Sequence, residues 1–142
     1  MSLRRDERGS ALVEFALCGV LGSFLMFGII DFGRAIFTDN LVANAARLGT
    51  RYAIVHGSAC QLSGCPATQT QIQNYVRSTS SGVDTSQLTV TAAWAAGPYC
   101  YTAPYQGAGC IVTVTVSYPF KFVLPFVKSV TMSSSSQFAI SQ

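Results

Sequence analysis

Charge is what this sequence has least of. Only 11% of its 142 residues are charged, under half of the quarter that is usual for soluble domains. Lysine occurs twice, at Lys121 and Lys128, and histidine once, at His56. The net charge of +3 comes from scattered arginines. No face gathers Lys and Arg with interleaved aromatics, so nucleic-acid binding is excluded. Carboxylates are as scarce. Downstream of residue 9 only Glu14, Asp31, Asp39 and Asp84 remain. With a single His, no Gly-rich phosphate loop and no nucleophile elbow, the chain has no constellation for catalysis. We expect no enzyme and no cofactor.

Cysteine is present in moderate number. Cys18 lies in an apolar run, whereas Cys60, Cys65, Cys100 and Cys110 lie in stretches containing Gly, Pro and Ser. Zinc sites favour two residues between paired cysteines. The gaps here are four and nine residues, so no metal is expected. Four loop cysteines in a small exported domain point instead to two disulfides. Of three connectivities, the local one, Cys60–Cys65 with Cys100–Cys110, is the first choice. Length supports one modest globular domain plus an appendage.

That appendage is at the N-terminus. Arg4, Arg5 and Arg8 make residues 1–9 a short basic leader, and from Ser10 to Ile30 the only charge is Glu14. As a helix these residues span roughly 31 Å, the hydrocarbon thickness of a bilayer. A removable signal would need small residues in an A-x-A pattern after the apolar run, and Asp31-Phe32-Gly33-Arg34-Ala35 has none. We therefore expect a retained span over 10–30. Glu14 is costly within it and needs a partner. If the chain is cut after Gly9, the new α-amino group on Ser10 lies one helical turn from Glu14. The two then pair within a chain or between packed subunits. Without the cut, Glu14 is an isolated carboxylate near the interface.

The segment Arg8-Gly9-Ser10-Ala11-Leu12-Val13-Glu14-Phe15 resembles the processing site of type IV-like prepilins. Three further stretches resemble the TadE-like family of the tight-adherence (Tad) pilus: Glu14-Phe15-Ala16-Leu17, Gly28-Ile29-Ile30-Asp31-Phe32-Gly33-Arg34, and Asn44-Ala45-Ala46-Arg47-Leu48-Gly49-Thr50-Arg51-Tyr52-Ala53. The resemblance covers Arg8–Val55. It implies a minor pilin or pseudopilin, cut by a prepilin peptidase between Gly9 and Ser10. Its helix would pack against other pilin-like helices, with Glu14 and Phe15 in assembly and Asp31, Gly33, Arg34, Asn44, Arg47, Gly49, Arg51 and Tyr52 as motif residues. A platform protein and a motor ATPase are implied partners. The positive-inside bias is slight, because Arg34 and Arg47 follow the span. The loop cysteines, which need an oxidising side, place residues 31–142 in the periplasm and the leader in the cytoplasm, with the span in a bacterial inner membrane. Two other readings stay open: an uncleaved single-span envelope protein displaying a binding domain, and a type II secretion pseudopilin.

Beyond the span, Ile30, Phe37, Leu41, Leu48, Tyr52 and Val55 recur at helical spacing as an apolar stripe, ending at His56-Gly57. The pattern predicts a second helix over Thr68–Ser78, and strands over Leu88–Ala93, Ile111–Tyr118 and Val130–Ile140. Pro119 and Pro125 bracket an expected turn or edge segment. Ala95–Cys110, with Tyr99, Tyr101 and Tyr105, is either a partner-binding loop or a surface loop whose tyrosines pack locally. The expected fold is α+β, a long N-terminal helix packed on a small antiparallel sheet, as the pilin resemblance also implies.

Overall fold

The computed structural model describes residues 6–123 and 127–141, with side chains from residue 9 onward. Arg4, Arg5 and Pro125, and the side chain of Arg8, lie outside this description. Helix α1 runs unbroken over Asp6–Val55. Its glycines at 19, 22, 28 and 33 face open space, so they cost helix propensity without bending the chain. Helix α2 spans Gln69–Thr79, one residue later than its pattern predicts. Thr68 is its N-cap, and the side chains of Thr68 and Gln71 form a reciprocal capping box. Strands β1 (Thr89–Ala95), β2 (Ile111–Phe120) and β3 (Val130–Ala139) form one antiparallel sheet in the order β1-β2-β3.

The sheet alternates as its sequence requires. Val112, Val114 and Val116 of β2 are fully buried. Beside them on β3 stand Ser136, paired with Val114, and Ser134, paired with Val116. Helix α1 lies across β2 and β3, while α2 packs on α1 and β1. One core results, built from Val42, Ala45, Ala46, Ala53, Ile72, Val76, Leu88 and the β2 valines, among others.

Two expectations need correction. The bulky stripe is not the face that α1 buries. Ile30, Phe37 and Val55 are exposed, and Leu41, Leu48 and Tyr52 are half-buried. The buried face is Asp31, Thr38, Val42, Ala45, Ala46, Gly49, Thr50 and Ala53. It recurs at steps of three and four just as the bulky stripe does, but on small side chains. The reason is approach distance: a sheet carrying valines and serines can reach the helix backbone only where the helix presents little. The Thr50 hydroxyl sits in this contact, 2.8 Å from the Ala46 carbonyl and 3.1 Å from that of Ser136. Secondly, β2 runs two residues past its expected end at Tyr118, and of the turn or edge expected at Pro119 it is the edge that forms. Pro119 lies inside β2 and pairs with Thr131 of β3, beyond the point where β1 ends opposite Ser117. One flank of β2 is therefore free at Pro119, and the sheet tolerates its missing N–H.

Both disulfides have the local connectivity. The Cα atoms of Cys60 and Cys65 are 6.1 Å apart, and those of Cys100 and Cys110 are 5.0 Å apart. Cys110 is fully buried at the head of β2, so the second bridge pins the Tyr-containing loop to the core. In the chain-entropy relation, closing that loop contributes about 2.5 kcal/mol. The double variant Cys100→Ala/Cys110→Ala should lower the free energy of unfolding by that amount, measured by denaturant titration of the full chain in detergent. An unchanged midpoint under oxidising conditions would show that the bridge contributes nothing.

Candidate functional site

Helix α1 divides at about residue 30 into two parts with different surroundings. Leu12, Val13, Phe15, Leu17, Val20, Leu21, Leu25, Met26 and Ile29 are all exposed. None of the most apolar window of the helix is covered by the rest of the chain. A core helix of a water-soluble domain would be mostly covered, so this half has the length and the uncovered apolar surface of a membrane span. Within it Gly9, Ser10, Glu14 and Phe15 are exposed, and Gly9 and Ser10 both lie in helical backbone. Glu14 forms no ion pair among the described residues. Small residues Gly19 and Ser23 line a shallow recess with Phe24 and Phe27, and the Ser23 hydroxyl donates to the Gly19 carbonyl at 2.8 Å. Neighbouring helices can approach closely at such a place.

At the boundary the Asp31–Arg34 signature becomes a joint. Asp31 is only 3% exposed. One carboxylate oxygen accepts from Arg34 Nη1 at 2.8 Å, and the other accepts from the backbone N–H of Val123 at 2.8 Å. Val123 belongs to the β2–β3 connection, so one side chain ties the first part of that connection to the helix. The Arg34 guanidinium also lies 5.3 Å over the ring of Phe120, a favourable cation–π geometry. One turn on, the Thr38 hydroxyl donates to the Arg34 carbonyl. Gly33 is not packed against any described residue, since a Cβ there would meet nothing within 4 Å.

The second signature splits into two faces. Gly49 is inward: a Cβ built on it would lie 2.9 Å from methyl carbons of both Val114 and Val76. Tyr52 is half-buried, stacked between His56 (centroids 4.0 Å) and Tyr75 (4.6 Å). The same His56 ring has Nδ1 2.9 Å from the Tyr52 carbonyl oxygen. It is an element of helix-end packing. Asn44, Arg47 and Arg51 instead point outward. With Leu48, Ile54 and Phe138 they line a groove of about 330 Å³. The motif residues therefore do not converge on one site. Some join helix to sheet, and the others form an exposed polar face.

Sequence patterning missed the partners that give the signature its meaning: Phe120 and Val123 for Asp31–Arg34, and Val76 and Val114 for Gly49. It also missed Thr38 and Thr50 on the buried face. A usable signal existed in the recurrence of small residues at positions 38, 42, 45, 46, 49, 50 and 53. In the loop over 95–110, Tyr105 packs on the core, while Tyr99 and Tyr101 are 88% and 76% exposed. The Tyr101 hydroxyl donates to the Pro98 carbonyl at 2.6 Å, so local contacts account for two tyrosines of the three. Among the titratable groups outside the span, Asp84 is distinctive. Hydrogen bonds from the Ser86 hydroxyl, the Gln87 amide and the Ser86 backbone N–H hold its carboxyl below the usual carboxylate range. It caps the 3-10 turn Thr85–Gln87 that leads into β1. Among the described residues no group of three or more His, Cys, Asp or Glu side chains is assembled for a metal.

The chain matches no curated protein and no solved structure. Residues 9–51 match the family model described as TadE-like protein. The match begins at Gly9, covers the uncovered apolar helix, the first signature and the second as far as Arg51, and stops before the sheet. Over residues 9–51, and there alone, the chain is similar to the TadE-like family.

Proposed function

We propose that this protein is a structural subunit, a minor pilin or pseudopilin, for assembly of a Tad-type pilus. The observation that carries the reading is the TadE-like match lying over an apolar helix left uncovered by its own domain. A prepilin peptidase removes the leader between Gly9 and Ser10. The new α-amino group then meets Glu14, which has no cation of its own among the described residues, within the chain or across a helix–helix contact. Helices associate laterally through small residues such as Gly19, Gly22 and Ser23, where close backbone approach gives packing and dispersion contacts that lipid does not supply. The disulfide-bearing sheet domain is held on the oxidising, periplasmic side. Platform protein and motor ATPase act on the assembled helices from the other side. The role is structural rather than catalytic, in keeping with the engagement of His56 in helix-end packing.

The test is intact mass and N-terminal sequence of the protein from its native membrane, with and without the prepilin peptidase. A chain beginning at Ser10 only when the peptidase is present is the expected result. A leader retained in both strains overturns the processed-subunit reading, and an uncleaved envelope protein becomes the better account.

A further inference from the structure

The signature residue Asp31 binds the Val123 N–H at 2.8 Å. Val123 therefore sits at the level of residue 31, one residue past the end of the apolar run. Its side chain is 55% exposed. Val127, later in the same β2–β3 connection, and Val130, the first residue of β3, are 39% and 50% exposed. On α1 the exposed apolar surface continues through Phe32, Ile36 and Phe37, roughly 9 Å further along the axis. Uncovered apolar side chains of α1 and of Val123 thus stand together at the level where the helix would leave the hydrocarbon. Both lysines of the whole sequence, Lys121 and Lys128, flank this connection, and both are exposed. Arg34 and Lys121 also line a cleft of about 490 Å³ that opens beside them. The Asp84 carboxylate lines the same cleft, but it is already bonded by Ser86 and Gln87.

From this arrangement we propose that the sheet domain makes a second contact with the membrane, the end of the β2–β3 connection resting on the outer surface of the bilayer. Val123 and Val127 enter the boundary between headgroups and acyl chains. Lys121 and Lys128 reach anionic lipid phosphates, burying apolar stems and leaving charge at the headgroups. What commits the surface to lipid is continuity: through Val123 it adjoins the apolar face of the span, and Lys121 shares a cleft with Arg34, one turn past that face. A hydrogen bond from the connection to a buried carboxylate of α1 holds it there, so the domain has a defined seat on the membrane and not a swivel. The proposal rests on α1 being a membrane span, as the proposed function has it.

The test places a fluorophore at the contact. The full chain is reconstituted in phosphatidylcholine vesicles with or without phosphatidylglycerol, as Val123→Trp in a Trp94→Phe background. The native chain serves as reference. Trp94 pairs with Val112, eight residues up β2 from Phe120, so it lies roughly 27 Å from the membrane end. Val123→Trp should be quenched by spin labels near the headgroups about twofold or more above Trp94, with blue-shifted emission, as an interfacial side chain requires. Adding Lys121→Gln/Lys128→Gln should abolish the extra quenching gained with phosphatidylglycerol. Quenching no greater than that of Trp94 overturns the proposal. So does a blue shift without lipid quenching, which would assign the surface to a second protein copy. A companion variant, Phe24→Trp in the same background, keeps the two readings apart. Deep-label quenching of that residue with none at Val123→Trp defeats the seat alone, whereas no quenching of either defeats the span.

Discussion

Replacing Gly49 with leucine should lower the thermal unfolding midpoint of the sheet domain by roughly 15 °C, a loss of about 3 kcal/mol in a domain of this size. A bare Cβ at this position already comes within 2.9 Å of Val114 on the sheet and Val76 on α2. Real Cβ contacts are almost never so short, and both neighbours are themselves fully buried valines with no room to turn. Further carbons must push α1 off β2 or α2 off α1. Each movement opens voids beside Ile72 and Val42 and forfeits close-packed contact. Gly49→Ala should fall between, since about 1 kcal/mol of improved helix propensity offsets part of the clash. The fluorescence of Trp94, half-buried on the same core, reports the transition in detergent-solubilised protein. Gly33→Leu is the control. It meets open space and should leave the midpoint unchanged or slightly raised. A Gly49→Leu protein that melts with the native chain would mean that the helix does not lie this close to the sheet.

The second large effect is expected at Asp31. Asp31→Ala removes both the acceptor for the Val123 N–H and the counter-ion of Arg34. Hydrogen bonds to a buried charge contribute about 1.5–3 kcal/mol each, and the abandoned Val123 N–H loses its partner. Arg34 is half-exposed, so its part of the loss is screened by solvent and counts for less. A total near 3 kcal/mol follows for Asp31→Ala, and about 1 kcal/mol for Arg34→Gln. The effect should be local before it is global. Amide exchange at Val123 should accelerate well beyond that at the β2 valines, because the helix no longer holds the connection. Uniform exchange along β2 and at Val123 in Asp31→Ala would contradict the joint. Asp31→Asn retains an acceptor and should lie between the two.

Much of this architecture was legible in the chain. Twenty-one residues with one charge announce a helix long and apolar enough to cross a membrane, because each polar group in hydrocarbon is costly and only a helix satisfies its own backbone. Alternating valines and hydroxyls over Ile111–Tyr118 announce a two-sided strand, since side-chain direction in a strand reverses at every residue. The disulfide pairing was accessible because short loops close most readily on themselves. The TadE-like signatures, too, stand in the sequence at positions 28–34 and 44–53.

What patterning could not decide is which of two helical stripes the sheet would take. Ile30, Phe37, Leu41 and Leu48 form one stripe, and Val42, Ala45, Ala46, Gly49 and Ala53 form another; both have the right period. Apolar bulk favours the first, and it is the second that is buried. Hydrophobicity along one chain measures what each side chain gains on leaving water. It carries no record of how near the opposing surface will come. That distance is set by β2 and β3, 65 residues away in sequence at Gly49–Val114 and 86 at Thr50–Ser136, whose valines and serines fit against a small-residue face and would be held off by phenylalanine and leucine. The bulky stripe is then left exposed or half-buried. Asp31 follows the same logic. Composition marks it as a charge just past a span, but only the tertiary structure brings the Val123 N–H and Arg34 to its two oxygens. Local chemistry determined the elements, and the geometry of their contact decided which of their faces meet.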